Sequence, residues 1–173
     1  GIGATTAIFS VVNGVVLKDL PYPNPGQLYF LRTAMTDGRA TGGQVAPAEL
    51  VAIAERSQTI RAASGAFRFE GAVENASGEP TPVVYYGVAP SFFDVAGLPM
   101  TLGRGFTPEE HAIGGPQLAV LSWSTWRDQH GSNPGIVGTT LRLDRQAVTI
   151  VGVAAPEQDF PRGADLWTNL QVP

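Results

Sequence analysis

"VAPSFFDVAGLPMTLGRGFT", residues Val88 to Thr107, is the most patterned stretch of the chain. It reads as the end of a strand and a short apolar helix carrying Phe92 and Phe93 that Gly97 ends. A loop held by Pro99, Gly103 and Gly105 follows, tight enough to bring Phe106 back to the core. None of its side chains is a credible catalyst. Upstream, "SGAFRFEGAVENASGE" sets Phe67, Phe69, Gly71 and Val73 against Arg68, Glu70, Ala72 and Glu74. That is the period of two expected of a half-buried strand. A turn at Gly78, Glu79 and Pro80 leads to a second strand, "TPVVYYGVA". Downstream come a helix start at "TPEEH", an apolar strand "QLAVLS", a helix "STWRDQHG" closed by Gly131, and two strands, "GTTLRL" and "AVTIVGVA". Hairpins with helices placed singly between them predict an α+β fold of mixed, mainly antiparallel sheets, arranged as two small lobes.

Further upstream, "QLYFLRTA" (Gln27 to Ala34) reads as a strand and "DGRATGG" as a loop. "PAELVAIAERS" is an amphipathic helix entered at Pro47, with Leu50, Ile53 and Ala54 at helical spacing and Glu49, Glu55 and Arg56 outward. At the start of the chain, "GIGATTAIFSVVNGVVL" (Gly1 to Leu17) carries no charge. As a helix it would be about 25 Å long, close to the roughly 30 Å of a hydrocarbon core. Gly3, Ala4 and Ala7 suit close helix packing in lipid, and Pro21, Pro23 and Pro25 force an extended exit. The second half of a spanning helix is the expectation here; a buried core helix or a signal-peptide remnant is the alternative.

Composition excludes several function classes. With 173 residues, 43% of them hydrophobic and 15% charged, the chain can bury a core. The net charge of −4 and the scatter of the cations, Lys18 being the only lysine, leave no basic stripe for a nucleic-acid backbone. The absence of cysteine removes disulfides, thiolate metal sites and cysteine nucleophiles.

Motifs that look chemical have plainer readings. "GIGATT" has Thr6 where a dinucleotide fingerprint needs glycine or alanine, and no strand precedes it. Glu109, Glu110 and His111 resemble an acid/base or metal cluster, yet Thr107 as cap, Pro108 at the first position and Glu110 at the third form a capping box. His130 precedes Gly131 at a helix end, where the dipole favours an imidazolium. Two histidines without ligand spacing make no metal site. There is no serine elbow motif. The "NAS" at Asn75 is too short to carry weight, and Trp126 and Trp167 read as packing residues. No catalytic, cofactor-binding or metal-ligating residue is therefore expected.

Taken in order, "GIGATTAIFSVVNGVVLKDLPYPNPGQL", "SGEP", "GVAPSFFDVAGLPMTLGRGFT", "GGPQLAVLSWSTWRDQHGSNPGIVGTTLRLD", "VTIVGVA" and "FPRGADLW" resemble the MacB-like periplasmic core domain. More narrowly they resemble the acidobacterial duplicated orphan permeases of the FtsX/MacB superfamily. The resemblance implies that residues 1–20 are the end of transmembrane helix one and that residues 21–173 are the periplasmic core domain. It also implies an inner-membrane, ABC-type export permease with this domain in the periplasm, no cofactor and no catalysis of its own. The partners would be a cytoplasmic ABC ATPase subunit, a second permease protomer, a periplasmic adaptor and the membrane. The alternative is a membrane-tethered binder with a pocket among Tyr85, Tyr86, Trp123 and Trp126. Arg104 is expected to pair within the chain, with Asp94 or Glu109. Asp144, Arg145 and Gln146 stand where these domains have an Asp-Gly turn, which points to a longer or bulged hairpin.

Overall fold

The computed structural model describes residues 45–74, 78–156 and 160–171, all within one compact unit. The apolar segment Gly1–Leu17, the proline arm and the predicted strand Gln27 to Ala34 lie outside these residues. Among the described residues no helix is long and apolar enough to cross a membrane.

Helix α1 (Pro47–Arg56) starts at the predicted proline, and the Glu49 carboxylate accepts from the Ala46 N–H at 3.2 Å. Leu50 is buried while Glu49 and Arg56 are exposed; the side chains of Ala54 and Glu55 are outside the described ones. Strands β1 (Ala66–Glu74) and β2 (Pro80–Val88) pair antiparallel along their whole length, Phe69 opposite Tyr85. Helix α2 (Phe92–Ala96) follows, closed by Gly97 in the left-handed region at φ 64°. Strand β3 (Met100–Gly103) comes next and corrects the loop expected there. Met100, Leu102 and Gly103 pair with β6 across a bulge at Thr101, and neither local periodicity nor composition marks so short a strand.

A 3-10 turn (Pro108–His111), strand β4 (Leu118–Leu121), helix α3 (Trp123–His130) and a second 3-10 turn (Pro134–Ile136) lead to β5 (Thr140–Leu143), β6 (Gln146–Ala154) and β7 (Leu166–Asn169). Ser122 caps α3 by accepting from the Thr125 N–H, and Gly131 closes it at φ 58°. The β5–β6 hairpin corrects a second expectation, because Leu143 pairs directly with Gln146 across a two-residue turn. Asp144 and Arg145 both have positive φ, 48° and 69°, as a type I′ turn demands. Tertiary bonds hold this glycine-free turn in place. Asp144 accepts from the Ala72 N–H at 2.8 Å and donates its own N–H to the Ala72 carbonyl at 2.9 Å.

All the described strands belong to one sheet, in the order β3-β6-β4-β7-β2-β1-β5, and β5 also pairs with β6. Six strands thus form a ring whose seam is the single β1–β5 pair Val73 and Leu143. The expected division into two lobes is not seen among the described residues. Pairings β2–β7 and β4–β6 are parallel and the others antiparallel, so the sheet is mixed and mainly antiparallel, with short helices around it. That is the α+β class the patterning predicts.

Alternation sorts the core into two clusters. One collects Val83, Leu121, Leu141, Val148, Ile150 and Leu166 with Trp126 of α3. The other sets Phe92 and Phe93 of α2 against Val88, Val120, Ala154 and Trp167. Strand β6 serves both because its ladder with β4 steps from Ile150 to Gly152 while β4 advances by one residue. The extra residue restores Val153 to the side of Ile150, as a bulge does.

Candidate functional site

Close backbone contacts and side-chain bonds gather around the loop between β3 and the first 3-10 turn. Gly103 (φ 64°) and Gly152 sit where the backbones of β3 and β6 meet. A Cβ on Gly103 would overlap the Val151 carbonyl oxygen, and one on Gly152 would overlap the carbonyl of Arg104. Only glycine permits this approach. The Arg104 N–H donates to Val151 O at 3.0 Å, and a Cβ on Gly105 would press on the Phe93 ring at 2.9 Å. "LGRGF" is therefore a close-packing device.

The Arg104 guanidinium grips both oxygens of Glu110, at 2.6 and 2.8 Å. The expected partner inside the chain exists, but it is Glu110 rather than Asp94 or Glu109. Glu110 also accepts from the Thr107 N–H at 2.8 Å, the reciprocal arm of the predicted capping box. Those bonds hold its carboxyl below the usual carboxylate range, Arg104 being the largest cause. The turn they cap is four residues of 3-10 helix.

His111 is buried, its Nδ1 donating to the Leu170 carbonyl at 2.9 Å and its ring edge-on to Phe106. Burial pushes its pKa below the ordinary imidazole value. His130 is likewise pushed down by burial, which corrects the imidazolium expected at that helix end. Asn169, also buried, ties three segments together. Its Oδ1 accepts from Leu118 N–H at 2.9 Å, and its amide donates to the carbonyls of Pro116 and Glu110. Asp165 plays the same role for β2, accepting from the Val84 N–H at 2.7 Å. Sequence reading missed Asn169 and Asp165, since a lone polar residue beside a strand has no local signature of its distant partners.

A groove of about 380 Å³ runs along this region between α2 and the loop, lined by Phe92, Phe93, Met100, Arg104, Phe106 and His111 among others. Two of its polar side chains are committed to the fold: Arg104 to Glu110, His111 to Leu170. No nucleophile stands beside a base. Among the described residues no group of three or more His, Asp or Glu side chains could hold a metal.

Of the four aromatic residues grouped as a ligand pocket, Tyr85, Trp123 and Trp126 belong to one core cluster and Tyr86 to the other. Tyr85 and Tyr86 are consecutive on β2 and face opposite clusters, as the pleat requires. Tyr85 stacks on Phe69 at 5.3 Å. Trp123 packs edge-on to Trp126, whose Nε1 donates to the Asn133 carbonyl at 2.8 Å. Trp126 and Trp167 are buried packing residues, as their positions predict, with Trp167 edge-on to Phe93 at 5.9 Å.

Residues 1–172 match the family described as MacB-like periplasmic core domain. The chain belongs to that family. A curated relative, the macrolide export ATP-binding/permease protein MacB of Burkholderia thailandensis, is 33% identical over 72 residues, which is 42% of this chain and 11% of the relative. This MacB-like domain thus spans a small fraction of the length of the curated relative it matches. Among solved structures, the periplasmic region of MacB from Actinobacillus actinomycetemcomitans superposes with a TM-score of 0.63 at 18% identity. The match covers 81% of this chain and 62% of that one. The extracellular domain of the noncanonic ABC-type transporter YknZ from Gram-positive bacteria gives 0.51 at 17% identity, covering 61% and 52%. At these identities the structures establish a shared fold.

Proposed function

We propose that this chain is the extracytoplasmic domain of an inner-membrane ABC-type permease. In this reading it carries conformational change from a separate cytoplasmic ATPase to periplasmic partners or cargo during export. A second permease protomer stands beside it, and a periplasmic adaptor is a further partner. The observation that carries the reading is the family match over residues 1–172, which runs through both the apolar start and the patterned loop. The geometry supports it from another side. Glycine contacts, a bidentate ion pair and a buried asparagine lock β3, β6 and the 3-10 turn together, which suits a body that moves as a unit.

The chain itself is then expected neither to bind nor to hydrolyse ATP. Calorimetric titration of the fragment from Pro21 onward, soluble without detergent, with Mg-ATP should give no saturable heat. Stoichiometric nucleotide binding by that fragment would overturn the reading.

A further inference from the structure

The groove between α2 and the loop after β3 carries an uncompensated charge on an aromatic wall. Phe92, Phe93, Phe106 and the His111 ring follow one another along it, successive centroids 5.5, 5.5 and 5.9 Å apart. Its volume of about 380 Å³ lies at the lower end of the roughly 300–1,000 Å³ of small-molecule sites. Two charged side chains line it, Arg104 and Asp94. Arg104 is matched by both oxygens of Glu110. Asp94 is exposed, and its carboxylate has no hydrogen-bond or ion-pair partner among the described residues.

His111 adds an acceptor to the same groove. Burial keeps the ring neutral near pH 7. Its Nδ1 donates to the Leu170 carbonyl, so the hydrogen of the neutral ring is on Nδ1 and Nε2 offers a lone pair. Nε2 has no partner among the described residues. It is not sealed in either, because Trp167 Nε1 is the one fully buried side-chain nitrogen or oxygen among them that lacks a partner.

We infer that this groove binds a small organic amine in its ammonium form, with an aromatic or other apolar body. Each feature of the wall selects for that chemistry. Phenylalanine faces attract a cation through the ring quadrupole, and their area takes the apolar body. The Asp94 carboxylate answers the charge, and the His111 lone pair can take an N–H. An anion would meet that carboxylate with Arg104 already spent on Glu110, and a neutral ligand would gain nothing from it. A lysine of a protein partner brings the same ammonium on a bare stem, whereas the rings reward a ligand that carries an apolar body of its own.

The test uses phenethylammonium with the purified full-length gene product in non-ionic detergent near neutral pH, read by saturation-transfer NMR. Saturable binding is expected. Phenethyl alcohol, the same body without the charge, should bind at least about threefold more weakly, and hydrocinnamate, its anionic counterpart, more weakly still. Asp94→Asn, which has no bond to lose in the fold, should abolish the preference for the amine. The same change at Asp128, paired with Arg127 on α3, should leave it intact. N-acetyl-lysinamide, a protein ammonium without the ring, should bind less well than phenethylammonium. No saturable binding, equal affinity for amine and alcohol, or a preference that survives Asp94→Asn would each overturn the inference. Tighter binding of the lysine derivative would overturn it too, by marking the groove as a docking site for a protein chain. All the probes and variants share one detergent, and binding is read on purified protein, so the outcome is independent of where the domain sits in the cell.

Discussion

Gly103 and Gly152 show how much of the fold rests on single residues without chemistry. The spacing of Gly103 and Gly105 is visible in the sequence, but the reason for Gly103 is not, because the atoms that obstruct a side chain there belong to β6, some fifty residues on. Alanine at Gly103 must adopt a left-handed backbone and also displace the Val151 carbonyl, so a loss of roughly 2–4 kcal/mol is expected. Gly138 has φ 90° with nothing near its missing Cβ, and alanine there should cost only about 1–2 kcal/mol. Urea unfolding of the two variants measures the difference; equal losses would mean that the β3–β6 approach contributes nothing. Asp144 teaches the opposite lesson. Its turn lacks the glycine that sequence rules demand, and the bonds that compensate come from Ala72, too far along the chain to be read locally.

At the scale of the element, the turn Pro108–His111 was legible in part. Thr107, Pro108 and Glu110 have the spacing of a capping box, and the box forms, but nothing local says that Glu110 would also bind Arg104 or that His111 would be buried. The burial has a consequence with a definite sign. His111 titrates below its unfolded value, so beneath about pH 6.5 the unfolded chain takes up a proton that the folded chain refuses. Stability is therefore full above that pH and falls as the solution is acidified. His130, also lowered by burial, adds to the same window; Glu110, held low, is lost only at more acid pH. Between about pH 8 and about pH 5.5 the protein should lose stability, and His111→Gln, weaker at pH 8, should show a shallower slope in denaturant melts. An unchanged slope would remove His111 from this account.

For the whole molecule, the class and the hairpins were readable and the sheet order was not. β1 and β2 announce themselves through alternation and a local turn. "LAVL" is buried at every position and shows no alternation, as befits a strand covered on both faces, yet nothing in it names β6 and β7 as its neighbours. Such non-local pairings depend on the clusters around Trp126 and Trp167, which form only once the chain has closed on itself. Location and motion are the functional questions that the family match raises. The most direct measurement places a single cysteine at Ser124, exposed on α3, in the full-length gene product and treats intact cells with a membrane-impermeant maleimide while the membranes are fractionated. The account predicts labelling from the periplasmic side in a protein that only detergent extracts. Labelling only after lysis, with the protein in the cytosol, would contradict it.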